Sequence, residues 1–271
     1  MLRSILRRSK KLRFLIRTVP IFYRLQMADI DIGDFTNLHK LSRILKLYPG
    51  RVSAKDLFIY LLHSKSEIDQ ELIAFILNGP GGYFVEFGAC DGIIGSNTYF
   101  LEKYQGWNGV LAEPIPEWFS EIGRNRSSKA FQCAVHPING VKLVFKEADQ
   151  RGLSTLSGYE QVDRHGDRRV SGGRNKTYSV TTITLQQLLI EANAPKQIDF
   201  LSIDTEGSEF EILSHFSFEE YVFKFITVEH NHSKNQDKLK VLMNSKGYVE
   251  ILPEFSGGDW WFVPKHALDK I

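Results

Sequence analysis

Val85-Glu86-Phe87-Gly88-Ala89-Cys90-Asp91-Gly92 is the stretch that decides how this chain is read. Tyr83–Phe87 is a short apolar run broken off by glycine, the pattern of a buried strand. Glu86 lies inside it, glycines follow, and a helix is expected over Ser96–Tyr104. In an open α/β sheet, ligands sit beyond the carboxyl ends of the strands. Gly88 and Gly92 let the backbone approach such a ligand closely. The helix start, with Ser96, Asn97 and Thr98, offers donors to an anion such as a carboxylate. A strand–turn–helix without any ligand has the same local pattern, so the loop gains meaning from its surroundings.

Downstream, Gly109–Ala112 reads as a second buried strand, closed by Glu113-Pro114. An acid there, at the roughly 20-residue spacing of nucleoside sites, is placed to accept both hydroxyls of a ribose. A helix over Pro116–Arg126 opens with proline, and Ala130–Val135 and Val141–Glu147 read as further strands. Residues 149–177 are polar and rich in Gly and Arg, which predicts a loop or lid. Then come a helix over Thr184–Ala192, a parallel-type strand over Ile198–Ile203 and a helix from Ser208. A strand over Phe223–Glu229, a helix over Ser233–Ser245 and late strands at Tyr248–Leu252 and Trp260–Val263 complete the pattern. Strands alternating with helices predict a doubly wound α/β sheet.

Upstream, Asn78–Gly82 is a turn, and Ser66–Asp69 looks like a helix start leading into the stripe Ile68, Leu72, Ile73, Ile76. Residues 30–65 are weakly helical and carry no chemistry. The expected division is therefore an N-terminal extension, 1–65, and a domain, 66–271. A length of 271 residues with 42% hydrophobic residues suits one α/β domain plus such an extension. The net charge of +2 is unevenly placed. The first 20 residues hold seven Lys/Arg and no acid, which leaves 27 basic against 32 acidic residues in the rest. A body of that sign has no general electrostatic case for nucleic acid.

Residues 1–25 alternate basic side chains with an apolar stripe, which suits peripheral contact with an anionic membrane, a partner, or the chain's own domain. No apolar run approaches the ~18 residues of a membrane span, and no clean signal-peptide core is present. Two cysteines, Cys90 and Cys133, exclude a disulfide scaffold and a zinc cluster built from thiols alone. A reducing, cytoplasmic setting is the expectation.

Glu86 and Asp91 beside a ligand would repel a pyrophosphate, and the G-x-G-x-x-G order of dinucleotide sites is missing. Tyr99-xxx-Lys103 mimics a dehydrogenase pair, but it lies on the helix right after the loop, where it cannot face a nicotinamide. A cofactor with a cationic centre and an amino group fits better, and S-adenosylmethionine has both.

These residues resemble the FkbM-type S-adenosylmethionine-dependent methyltransferases. The resemblance is carried by Val85–Gly92 with Ser96-Asn97-Thr98, and by Gly109–Pro114 as the ribose-binding strand. Val180–Leu185 with Leu188-Leu189 is similar to a further family segment, with Gln186 in place of the usual Asp. Phe200–Glu209 is similar to the strand-4 signature, with Ser202 where Lys is common. The match covers about residues 80–231. It implies a Rossmann-like class I methyltransferase fold, a mostly parallel seven-stranded sheet with helices on both faces. It also implies O-methylation of a hydroxyl on a sugar, glycan or related small molecule.

On this reading Glu86, Gly88, Ala89, Asp91 and Gly92 form the cofactor loop. Ser96, Asn97, Thr98, Glu113, Pro114 and Asp204 complete the cofactor set. Methyl transfer needs an in-line acceptor and a group that removes its proton. Asp204 and Glu206 end strand 4 and His230 follows strand 5, so these three are the catalytic expectation. A divalent ion among Asp204, Glu206, Glu229, His230 and His232 is chemically possible, but no spacing demands one, and the expectation is a site without metal. Glu209 and Glu211 read as a solvated helix face. Competing readings are an NAD- or nucleotide-sugar-linked Rossmann enzyme and a non-catalytic subunit of the same fold.

Overall fold

The computed structural model describes residues 35–64, 66, 69–150, 152–171 and 176–270. The basic arm of residues 1–25 lies outside them. The chain divides into two compact units between His63 and Ser64. The first contributes helices α1 (Phe35–Leu47) and α2 (Ala54–His63). Leu41 and Ile44 are buried at helical spacing on α1. Among the described residues no helix is long and apolar enough to cross a membrane.

The second unit begins with α3 (Gln70–Asn78), whose Leu72, Ile73, Phe75 and Ile76 are buried. It stops at Gly79, whose φ of 76° takes the chain out of the helix. Its main sheet has seven strands in the order β3–β2–β1–β9–β11–β13–β12. These are β1 (Tyr83–Phe87), β2 (Asn108–Ala112), β3 (Lys129–Phe131), β9 (Phe200–Ile203), β11 (Ile226–Glu229), β12 (Tyr248–Glu250) and β13 (Asp259–Pro264). β8 (Gln197–Ile198) and β10 (Val222–Phe223) pair with each other outside it, so the runs expected at Ile198–Ile203 and Phe223–Glu229 are each broken in two. β13 alone runs against its neighbours; pairing across β1, β2, β3, β9 and β11 is parallel.

Alternation along the strands separates two cores. Val85, Phe87, Val110, Leu201, Ile203, Ile226 and Val228 face one layer. That layer includes α7 (Leu185–Glu191), α8 (Glu209–Ser214) and α9 (Gln236–Ser245). The intervening positions Phe84, Phe200 and Trp261 belong to the other face, where Phe200 stacks on Phe225 at 5.3 Å. Thr184 opens α7 by accepting a hydrogen bond from the Gln187 N–H, as its position before the apolar stripe predicts.

A second sheet, ordered β4–β7–β5–β6, corrects two sequence expectations. Ala130–Val135 is not one strand: β3 ends at Phe131, and β4 (Ala134–Val135) pairs with β7 (Lys176–Ile183) instead. Residues 149–177 are not one loop either. They contain β6 (Thr155–Leu156), helix α6 (Gly166–Ser171) and the start of β7. β7 also pairs antiparallel with β5 (Lys142–Glu147). Two-residue strands leave almost no periodicity to read. Moreover, Arg169 in the polar segment is buried in ion pairs with Asp163 and Glu206, so polarity here does not mean solvation.

Candidate active site

A cavity of about 520 Å³ opens at the carboxyl ends of β1, β2, β9 and β11. Small-molecule sites fall at roughly 300–1,000 Å³. Its floor is the glycine loop. Gly88 has φ +75°, and a Cβ there would lie 2.2 Å from the Asp204 carbonyl oxygen. Only glycine lets β1 and β9 come that close.

Glu113 closes β2 and lines the cavity. Its carboxylate accepts the Cys90 N–H at 3.1 Å and the Ile115 N–H at 2.9 Å. The acid is therefore pinned to the glycine loop on one side and to its own turn on the other. Pro114 and Asn97 also face the cavity.

Glu86 does not line it. Period-two alternation sends its side chain to the same face as Phe84, where it is fully buried. There it accepts the Ser96 hydroxyl at 3.0 Å, the Asn97 N–H at 2.5 Å and the Thr98 hydroxyl at 2.5 Å. Burial pushes its carboxyl pKa up, opposed by Arg126 and these three donors. The donors expected to meet a ligand anion at the start of α4 (Tyr99–Gln105) are thus taken by the chain's own acid. The next N–H, that of Phe100, goes to Glu71 at 3.0 Å. Asp91 likewise turns to the loop backbone, accepting from Ile93 and Ile94 at 2.9 Å each. Ala89 and Gly92 shape the loop without lining the cavity.

Arg126, at the end of α5 (Pro116–Asn125), was not singled out by the sequence. It ties the arrangement together from beneath. It donates to Glu102 at 2.8 Å, the Gly92 carbonyl at 3.0 Å, Ser96 Oγ at 2.9 Å and Thr98 Oγ1 at 2.8 Å. Its guanidinium lies 3.9 Å from Glu86 and over the Phe84 ring. An Arg just past a helix end gives no local sign of this; only the fold brings it 34 residues back to Gly92.

Opposite the loop, oxygens of Asp204, Glu206 and Glu229 lie within 4.8 Å of one another. Among the described residues this is the one group of His, Cys, Asp and Glu able to hold a single cation. Burial, and then the nearby Asp204 charge, push the Glu206 and Glu229 pKa values well above the carboxylate range. Arg169 pairs with Glu206, and the Asn231 amide donates to Glu229. The backbone is strained here: Glu206, Asn231 and His232 have φ of 59°, 39° and 54°. Ser208 is the N-cap of α8 and makes no side-chain capping bond; the next residue is Glu209. It is buried and accepts the Thr205 N–H at 3.0 Å and the Gly207 N–H at 2.9 Å, so it is no part of a solvated face.

His230 is not brought to the cavity. Its ring stacks on Trp260 at 4.5 Å, and burial lowers its pKa to about 4. It sits one residue past Glu229, and that step turns it away, while Glu229 and Asn231 face inward. His232 is exposed. Trp118 of α5 and, from the second sheet and its connections, Phe145, Gln150, Arg164, His165 and Arg168 form the far wall.

The Methyltransferase FkbM domain matches residues 86–255. The chain belongs to the FkbM methyltransferase family. The FkbM domain covers both halves of the cavity described above, and the family's cofactor is S-adenosylmethionine. Among solved structures the chain is similar to a methyltransferase FkbM from Methylobacillus flagellatus, at 12% identity and TM-score 0.42. That likeness covers 93% of this chain and 60% of the other, so the chain spans about three fifths of that relative's length. It is also similar to a TehB-like SAM-dependent methyltransferase from Corynebacterium glutamicum, at 8% identity and TM-score 0.37, covering 84% and 97% of the two chains. A SAM-dependent methyltransferase from Aquifex aeolicus is similar at 8% identity and TM-score 0.35, covering 76% and 96%. No curated protein matches the chain. Family membership rests on the domain match.

Proposed function

We propose that the FkbM domain methylates a hydroxyl oxygen of a small, polyhydroxylated acceptor, a sugar or a glycan residue. The observation that carries this is one cavity with Glu113 at one edge and the crowded carboxylates Asp204 and Glu229 at another.

The acidic lining fits S-adenosylmethionine, whose sulfonium and ammonium are both cationic, better than it fits a pyrophosphate. A carboxylate has about four acceptor positions, so the two N–H groups that fix Glu113 are compatible with its holding a ribose. Glu86, Asp91, Ser96 and Thr98 act in this reading through the shape of the loop. When bound, S-adenosylmethionine supplies an electrophilic methyl group.

The protein's part is to aim the acceptor oxygen and to take its proton. Burial, and then the Asp204 charge beside it, raise the proton affinity of Glu229, which suits the pair to that task. The new bond is acceptor O–CH₃, the bond lost is S–CH₃, and the hydroxyl proton passes to the carboxylate pair. Glu206, already paired with Arg169, holds the cluster in place. With one of the three acids so neutralised, the cluster reads as an acid–base pair rather than a cation site. Trp118, Gln150 and His165 on the far wall suit an acceptor with apolar faces and many hydroxyls.

The test is transfer of labelled methyl from S-adenosylmethionine to free sugars, sugar phosphates and extracted glycans, with and without EDTA. Alkali-stable methyl ethers formed in EDTA support the reading. Methylation at nitrogen or carbon sinks the acceptor class, and activity restored only by Mg²⁺ or Mn²⁺ sinks the metal-free base.

A further inference from the structure

Gln70, the first residue of α3, lies outside the 86–255 family match. Its side chain lines the cavity, is 3% exposed, and its Oε1 has no hydrogen-bond partner. A buried polar atom left unpaired is costly. In a residue that lines a cavity, a side-chain amide left unpaired points to a partner that arrives with a ligand.

The position of Gln70 says which part of the ligand. The chain around it is fastened to the start of α4 on both sides. Ser66 donates to Asn97 Oδ1 at 3.0 Å, and Glu71 accepts the Phe100 N–H at 3.0 Å. Asn97 in turn donates to Ser202 on β9 at 3.0 Å. Gln70 is therefore held on the β9 side of β1. Glu113 ends β2, on the opposite side of β1. Both residues line the same cavity as Gly88 of the glycine loop. A nucleoside whose ribose sits at Glu113 extends its 5′ substituent over Gly88 toward Gln70. In S-adenosylmethionine that substituent ends in an ammonium and a carboxylate. The N–H groups of Asn97 and Phe100 are already committed to Glu86 and Glu71.

We propose that Gln70 is a cofactor-binding residue whose side-chain amide receives the amino-acid end of S-adenosylmethionine. This rests on the reading that the cavity takes that cofactor with its ribose at Glu113.

Calorimetry with two ligands separates the possibilities. S-adenosylhomocysteine carries the amino-acid end; 5′-methylthioadenosine lacks it and keeps the nucleoside. Gln70→Met preserves volume and removes the amide. The expected result is about 10- to 100-fold weaker binding of S-adenosylhomocysteine, with 5′-methylthioadenosine unaffected. Unchanged S-adenosylhomocysteine binding, or equal weakening of both ligands, overturns the assignment. If the Met variant does not fold, Gln70→Ala carries the same comparison. A wild-type protein that binds neither ligand overturns the cofactor reading, and this proposal with it. Binding by wild type with an unchanged ligand ratio in the variant overturns the Gln70 assignment alone.

Discussion

Two groups of buried acids lie close to one cavity and behave differently. Glu71 and Glu86, beneath the glycine loop, are met by donors: the Ser64 hydroxyl and Phe100 N–H for one, and Ser96, Asn97 and Thr98 for the other. Glu206 and Glu229, at the ends of β9 and β11, are met by another acid, Asp204, as well as by Arg169 and Asn231. Burial raises the pKa in every case. Donors supplied by the chain itself make a strut, because no ligand needs to supply them. Crowding among acids makes a group poised to exchange a proton. An acid's neighbours, more than its burial, separate scaffold from chemistry here.

The largest effect tests the crowded side. Glu229→Gln is expected to cost about 10²–10⁴ in turnover while S-adenosylhomocysteine binding stays close to wild type. His230→Ala, a residue packed on Trp260 outside the cavity, is expected to keep near-normal turnover. Steady-state kinetics on both variants decide; equal losses would move the base back to the imidazole.

The next effect tests the struts. Arg126 and its partners Glu86 and Glu102 have side chains at most 6% exposed. Removing one partner of a buried ion pair costs about 3–5 kcal/mol. Arg126→Met should lose stability of that order in urea unfolding. A loss within 1 kcal/mol, about the value of an exposed pair, would mean that water reaches this hub.

Glu113 lies between the two classes, fixed by two N–H groups yet facing the cavity. Glu113→Gln keeps the shape and removes the charge. S-adenosylhomocysteine should bind roughly tenfold more weakly, the value of about 1.4 kcal/mol. Calorimetric affinity equal to wild type would remove Glu113 from the ribose.

The smallest effect per pH unit is a slope. Burial raises the Glu71 pKa from 4.5 to about 8. The folded state keeps a proton that the unfolded chain gives up, so the contribution of Glu71 to stability is complete below 4.5 and is lost as pH rises toward 8. The slope reaches at most about 1.4 kcal/mol per pH unit. Glu71→Gln should flatten urea-derived stability across that window. An unaltered slope would assign the pH dependence to other acids.

Much of this was legible in the chain itself. The apolar runs at Tyr83–Phe87, Gly109–Ala112 and Ile198–Ile203 marked the central strands, because a parallel strand buried on both faces is largely apolar, although the last of them is a central strand only from Phe200. Glycine at Gly88 and an acid at Glu113 marked the strand ends, because close backbone approach and a strand-end acid each demand particular residue types. The second sheet was not legible. β4 and β6 are two residues each, too short to show a period, and β4 exists only through a partner far along the chain.

The residues themselves determined the order of strands and helices, the glycine loop and the acids at the strand ends. Those follow from rules acting within about ten residues: alternation, turn chemistry and helix capping. Only the tertiary structure decided which way each side chain is used. Glu86 turned inward to become a strut, His230 turned onto Trp260, Arg126 came back under the loop, and Gln70 arrived at the cavity with an unpaired oxygen. Each depends on contacts between segments distant in sequence, and sequence spacing alone carries no record of which distant partner a buried polar atom meets.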